Sequence, residues 1–126
     1  LPDLMNMTTD QAKKQLEINA IAQQNDVFRS HPNWGDKVGK WVLTQSIQAM
    51  GPDIVRQTIK AVMAFDDFNK DMDPYGEHAM GKVEVEGTTV WWKIDLYDVN
   101  YEYGSPSPAE VLKTRRVLTL MLPSEY

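Results

Sequence analysis

The segment Asp73-Pro74-Tyr75-Gly76-Glu77-His78 sets one of the chain's two histidines beside two carboxylates. Further along, Asp95 adds a carboxylate and Tyr97 a phenol. Such a set can do two kinds of chemistry. Asp73, Glu77, His78 and Asp95 could supply mixed N and O ligands to a divalent metal such as Zn, Mn or Fe. Alternatively, His78 could act as a base oriented by Asp95, with Tyr97 on the same face, which makes these three the candidate catalytic residues. His31 is remote, and no H-x-x-x-H spacing offers a second nitrogen ligand. A cross-strand His-Asp pair beside Lys93 that only fixes the sheet accounts for the same residues without chemistry, and the sequence favours it.

Other chemistries find less support. Asp67-x-Asn69-x-Asp71-x-Asp73 alternates oxygen side chains as a calcium loop does, but the sixth position is Met72 instead of Gly and the twelfth is His78 instead of Glu. It reads as a capped acidic loop. There is no G-x-S-x-G, and Gly104-Ser105-Pro106 reads as a turn. Gly35, Gly39 and Gly51 lack the strand-to-helix setting of a phosphate loop, so no cofactor site is expected beyond the metal alternative.

A hairpin must position these residues. Lys82-Val83-Glu84-Val85 and Thr88 to Leu96 flank Glu86-Gly87, a two-residue turn in which Gly is free to take positive φ. This register pairs Val85 with Thr88, Glu84 with Thr89, Val83 with Val90 and Lys82 with Trp91. Alternation then collects Val83, Val85, Val90, Trp92, Ile94 and Leu96 on one face, the core face. Lys82, Glu84, Thr89, Trp91, Lys93, Asp95 and Tyr97 take the other. Carried backwards, the same ladder sets His78 opposite Asp95. Trp91, Lys93, Asp95 and Tyr97 mix aromatic rings with charges, as interface anchors do, unless a helix covers them.

Around the hairpin, residues 1–7 read as a loose arm. Thr8-Thr9-Asp10-Gln11 is N-cap chemistry for a helix over about 9–29, which ends before the turn formers Ser30 to Gly35. Val38 to Thr44 is strand-like. Thr44 caps a short helix to Met50, Gly51 stops it, and Pro52 starts a third helix. The apolar stripe of that helix, Ile54, Val55, Thr58, Ile59, Val62 and Phe65, is core. Ala109 to Lys113 suggests one helical turn. Arg115 to Leu122 alternates as a last strand, with Leu118, Leu120 and Leu122 on one side. Helices segregated to the N-terminal half and about four strands predict an α+β fold, a mainly antiparallel sheet with helices packed on it, in a single domain over 1–126.

Composition narrows the function classes. The 126 residues contain no cysteine, which excludes disulfides, thiolate zinc and a cysteine nucleophile and fits a reducing cytoplasm. No apolar run reaches the roughly 18 residues of a membrane span, so no membrane partner is expected. The net charge is -5, and Asp66 to Glu77 carries five acids against Lys70. No Lys/Arg-rich block marks a nucleic-acid binder.

Several motifs together resemble a bacterial family of unknown function. They are Asn25-Asp26-x-Phe28-Arg29, Asp73-Pro74-Tyr75-Gly76-Glu77-His78, Trp92-Lys93-Ile94-Asp95-x-Tyr97-Asp98, Tyr103-Gly104-Ser105 and Arg116-Val117-Leu118-Thr119-x-Met121-Leu122, followed by Glu125-Tyr126. The family pattern continues Gly-Glu-His with Asp-Phe-Gly where this chain has Ala79-Met80-Gly81, so the second acid beside the histidine is lost. The resemblance implies no known activity. It implies small proteins common on plasmids and other mobile elements, hence accessory cargo.

The sequence thus predicts a small cytoplasmic accessory protein that binds a protein partner. The rival is a metal-dependent hydrolase using His78 and Asp95. An acidic DNA mimic is a weaker third reading, because the excess charge is local.

Overall fold

The computed structural model describes residues 4–126. The arm expected over residues 1–7 therefore lies partly outside the described residues; Leu4–Asn6 form a single 3-10 turn. Helix α1 runs Thr9–Arg29. Thr8 Oγ1 accepts from Gln11 N at 3.1 Å and Gln11 Oε1 accepts from Thr8 N at 3.0 Å, the reciprocal cap that the Thr-x-x-Gln spacing predicts. Strand β1 (Gly39–Leu43) leads into the short helix α2 (Gln45–Gln48), whose Ile47 N–H donates to the hydroxyl of Thr44. Helix α3 (Pro52–Met63) starts on Pro52 after Gly51, which holds φ 93°.

Strands β2 (Met80–Val85) and β3 (Thr88–Tyr97) form the expected hairpin. Glu86 and Gly87 sit at φ 47° and 80°, the two positive values of a type I′ turn, whose twist suits the strands it joins. Lys82 pairs with Trp91, Val83 with Val90, Glu84 with Thr89 and Val85 with Thr88, as parity requires. The one-turn segment is a 3-10 turn over Val111–Lys113, and β4 spans Arg115–Met121.

The sheet has the order β1-β4-β3-β2. Both β3 contacts are antiparallel, whereas β1 lies parallel to β4, so the sheet is mixed and mostly antiparallel. This α+β arrangement puts the last strand in the interior of the sheet. Trp92, Leu120 and Leu43 lie abreast, as do Ile94, Leu118 and Trp41. Phe28 of α1, Ile47 of α2 and Val62 of α3 pack on that row in one core, so all three helices share a face of the sheet. Gly39 lies abreast of Arg116, and a Cβ there would come within 2.2 Å of Arg116 O and 2.6 Å of the Phe28 ring. Only a glycine lets α1 approach the strand pair this closely.

Trp91, Lys93, Asp95 and Tyr97 occupy the opposite face, where Tyr126 meets Trp91 edge-on at 5.5 Å between ring centroids. Among the described residues no helix is long and apolar enough to cross a membrane.

Because Trp92 is fully buried and Glu84 exposed, the two faces should respond differently to truncation. Trp92→Ala should cost roughly 3–5 kcal/mol and Glu84→Ala close to nothing in a urea titration. Comparable losses for both would contradict the face assignment.

Candidate functional site

The segment between α3 and β2 is held by side chains that bond to backbone. Asn69 Oδ1 accepts from Asp71 N at 3.0 Å and Met72 N at 3.2 Å, and Asn69 O accepts from Asp73 N at 2.8 Å. The Asp73 carboxylate, 8% exposed, accepts from His78 N at 3.1 and 3.2 Å. Asn69 and Asp73, two of the four oxygen residues with calcium-like spacing, are thus committed to closing turns.

His78 itself is at φ 55°, a left-handed conformation rarely taken by a residue with a side chain. This overturns the predicted partnership of His78 with Asp95. The hydrogen-bonded ladder reaches back only to Ala79, whose carbonyl accepts from Ile94 N at 2.8 Å. One residue earlier the backbone leaves the extended region, alternation ends, and the imidazole turns to the helix side of the sheet. There it stacks on Phe68, with centroids 3.8 Å apart and planes 4° from parallel. Asp95 stays on the outer face, where its carboxylate meets Lys93 Nζ at 2.7 Å.

The carboxylate that His78 does meet is Asp26 of α1, with Nδ1 2.9 Å from each oxygen. Asp26 is oriented in turn by Arg29 Nη1 at 3.0 Å. Arg29 also donates from Nε to Val62 O at 3.1 Å and from Nη2 to Phe65 O at 2.9 Å, satisfying carbonyls at the end of α3. Its guanidinium carbon lies 5.2 Å from the Phe68 ring centroid and 5.1 Å from that of Trp92. Desolvated guanidinium over an aromatic face is a favourable arrangement.

One residue before Asp26, the fully buried Asn25 ties the same loop to the sheet. Its Nδ2 donates to Glu77 O at 2.9 Å, and its Oδ1 accepts from Arg116 Nε at 2.7 Å. Arg116 Nη2 donates to Gln24 Oε1 at 3.0 Å. Burial pushes the Arg116 pKa down to about 10, which still leaves it cationic at neutral pH. The Glu77 carboxyl is pushed up from its ordinary value of 4.5, first by burial and then by Asp73.

A carboxylate can only accept, so Nδ1 of His78 carries the proton that Asp26 receives, and the neutral ring keeps its lone pair on Nε2. Nε2 makes no hydrogen bond to the described residues, and the side chain is 30% exposed. His78 and Asp26 both line an open cleft of about 660 Å³ between α1 and residues 70–78. A carboxylate-oriented imidazole with its second nitrogen free is geometry suited to proton transfer.

The four residues weighed as an alternative metal set are not assembled. Asp73 faces the backbone of His78, Asp95 lies across the sheet, and among the described residues no group of three or more His, Asp or Glu side chains is placed to hold a metal ion. Two other motif positions organise loops. Asp98 accepts from the backbone N–H of Asn100, Glu102 and Tyr103, and the Ser105 hydroxyl bonds to that of Thr114 at 2.8 Å. The Tyr97 ring lies 6.5 Å, between centroids, from the neighbouring Tyr101 ring.

Asn25, Asp26, Arg29 and Arg116 were not among the sequence's candidates for this site. Parity does place Arg116 on the leucine side of β4, and a cation on a core face demands a partner.

The fold and this cleft define an α+β protein with a histidine-carboxylate pair shared between its first helix and a loop ahead of the hairpin. The chain belongs to the family described as protein of unknown function (DUF3768), whose model matches residues 43–125. That match takes in the loop, the hairpin and β4, while α1 with Asp26 precedes it. No curated protein and no solved structure matches the chain.

The raised pKa of Glu77 fixes the sign of a pH effect. Its folded form binds the proton more tightly than the unfolded form, so its contribution is fully present below pH 4.5 and is lost as pH rises through the folded value. Glu77→Gln should therefore flatten the fall in stability above that pH and raise stability at neutrality. Urea titrations at several pH values from 4 to 7 would read this; a variant that is less stable than the parent at pH 7 would contradict it.

Proposed function

We propose that the protein works through the cleft at His78, with the His78-Asp26 pair as a general base. The observation that carries this is the Nδ1 contact to Asp26, which leaves Nε2 unpartnered in a cleft of ligand size. Nε2 would take a proton from a water molecule or a ligand hydroxyl, and the resulting imidazolium would be stabilised by Asp26. Asp26 is kept in place by Arg29, so the base is oriented before any ligand arrives.

The reading makes a substrate-free prediction. Nitrogen NMR at neutral pH should find the fraction of His78 that is neutral carrying its proton on Nδ1, and Asp26→Asn should disturb that tautomer preference. A ring protonated on Nε2 would sink the proposal. In a turnover assay, His78→Gln should lower the rate about 10²–10⁴-fold, the usual worth of a positioned base.

A second reading rests on a different observation. Trp91, Lys93, Asp95 and Tyr97 lie on the face of the sheet away from all three helices, and aromatic rings among charges suit a docking surface for a protein partner. Accessory cargo of a mobile element, as the motif resemblance implies, would act this way without chemistry. Trp91→Asp should then abolish capture of the partner from the host, whereas His78→Gln should leave it intact.

A further inference from the structure

We infer that the cleft takes a neutral, hydroxyl-rich ligand, a short saccharide, an assignment that rests on this cleft being the working site. Gln15, Asn19 and Gln23 recur at every fourth residue of α1, so one stripe of the helix presents three carboxamides to the loop. Gln15 Nε2 donates to Asn19 Oδ1 at 2.9 Å, which sets two of these groups in series. The amino group of Asn19 and the whole carboxamide of Gln23 make no hydrogen bond to the described residues. Gln23 offers a donor and an acceptor side by side, and the Gln15-Asn19 pair keeps the Asn19 amino group as a donor and Gln15 Oε1 as an acceptor, the pattern that adjacent hydroxyls on a sugar ring complement.

Across the cleft, Tyr75 follows Pro74 and is 75% exposed. A large, mostly exposed ring in the lining gives the C–H face of a sugar a flat apolar surface to cover. Charge argues against an anionic ligand. Asp26 and Asp73 are in the lining with Lys70 as the one cation, and the segment Asp66 to Glu77 carries five acids. Shape argues against a peptide, since beyond Tyr75 the apolar lining consists of Ala22 and Pro74, too little to form a side-chain pocket. Neutral polar rings satisfy all of these constraints together.

Saturation-transfer NMR tests the assignment on the His78→Gln chain, so that turnover cannot consume the probes. Maltotriose, cellotriose, chitotriose and xylotriose serve as neutral saccharides, trigalacturonate as an anionic one and trialanine as a peptide. At least one neutral saccharide should bind. Asn19→Leu and Tyr75→Ala, each added to that chain, should weaken its binding at least tenfold while leaving the thermal midpoint within a few degrees. Binding of no neutral saccharide, a preference for trigalacturonate or trialanine, or indifference to both substitutions would overturn the inference. The two proposals fail separately. Saccharide binding without any change to the sugar by the parent chain would reject the base and keep the ligand class. Turnover of a peptide or a phosphate ester by the parent chain, lost in His78→Gln, would do the reverse.

Discussion

A guanidinium brought out of water must find acceptors for its N–H groups, and this chain buries two of them between its first helix and its sheet. Arg29 and Arg116 are 4% and 2% exposed. Their acceptors come from four places: Asp26, the Val62 and Phe65 carbonyls where α3 gives way to the loop, Asn25 and Gln24. Removing one partner of a buried charge is far more damaging than never having buried it, by about 3–5 kcal/mol for ion pairs. The position of α1 over the sheet, the point where α3 ends and the path of the loop that carries Glu77 and His78 are therefore set together. None can shift alone without stranding a charge.

His78 is held within this arrangement from several directions. Asp73 takes its backbone N–H, Phe68 covers its ring and Asp26 binds its Nδ1. A left-handed residue with a side chain costs on the order of 1–3 kcal/mol unless the surroundings over-determine it. Here they do. The strain has a consequence for chemistry, because a relaxed, extended His78 would fall on the outer face and lose both the aromatic cover and the carboxylate.

The parts of the structure legible in the sequence depended on local rules. Thr8 and Gln11 announced the start of α1, Glu86-Gly87 the turn, and alternation the two faces of the hairpin, with Trp92 inside. The site was not legible because it turns on one dihedral angle. Parity carried back from the hairpin put His78 beside Asp95, and nothing in the local composition showed that the backbone would leave the extended region at His78 itself. The partner actually used, Asp26, is 52 residues away on α1, where the sequence offered it as part of a motif and not as a partner for His78. Arg116 left the clearest unused sign, a cation at an inward position between Leu118 and the turn before it. The parallel pairing of β1 with β4 was equally hidden, since no hydrophobic pattern distinguishes a parallel neighbour from an antiparallel one at a sheet edge.

Because β4 sits between β1 and β3, the order of synthesis matters. Until residues 115–121 have been made, β1 and the hairpin have no common neighbour, and Asn25 lacks the arginine that it meets 91 positions later. The ribosome therefore exposes three helical segments and a hairpin before any of them can close a core. Such a chain gains little by folding piecemeal. A product cut short before Arg115 would be no smaller version of the protein but a loose assembly with Trp92, Ile94 and Phe28 open to solvent. That is the kind of chain that chaperones hold and proteases clear.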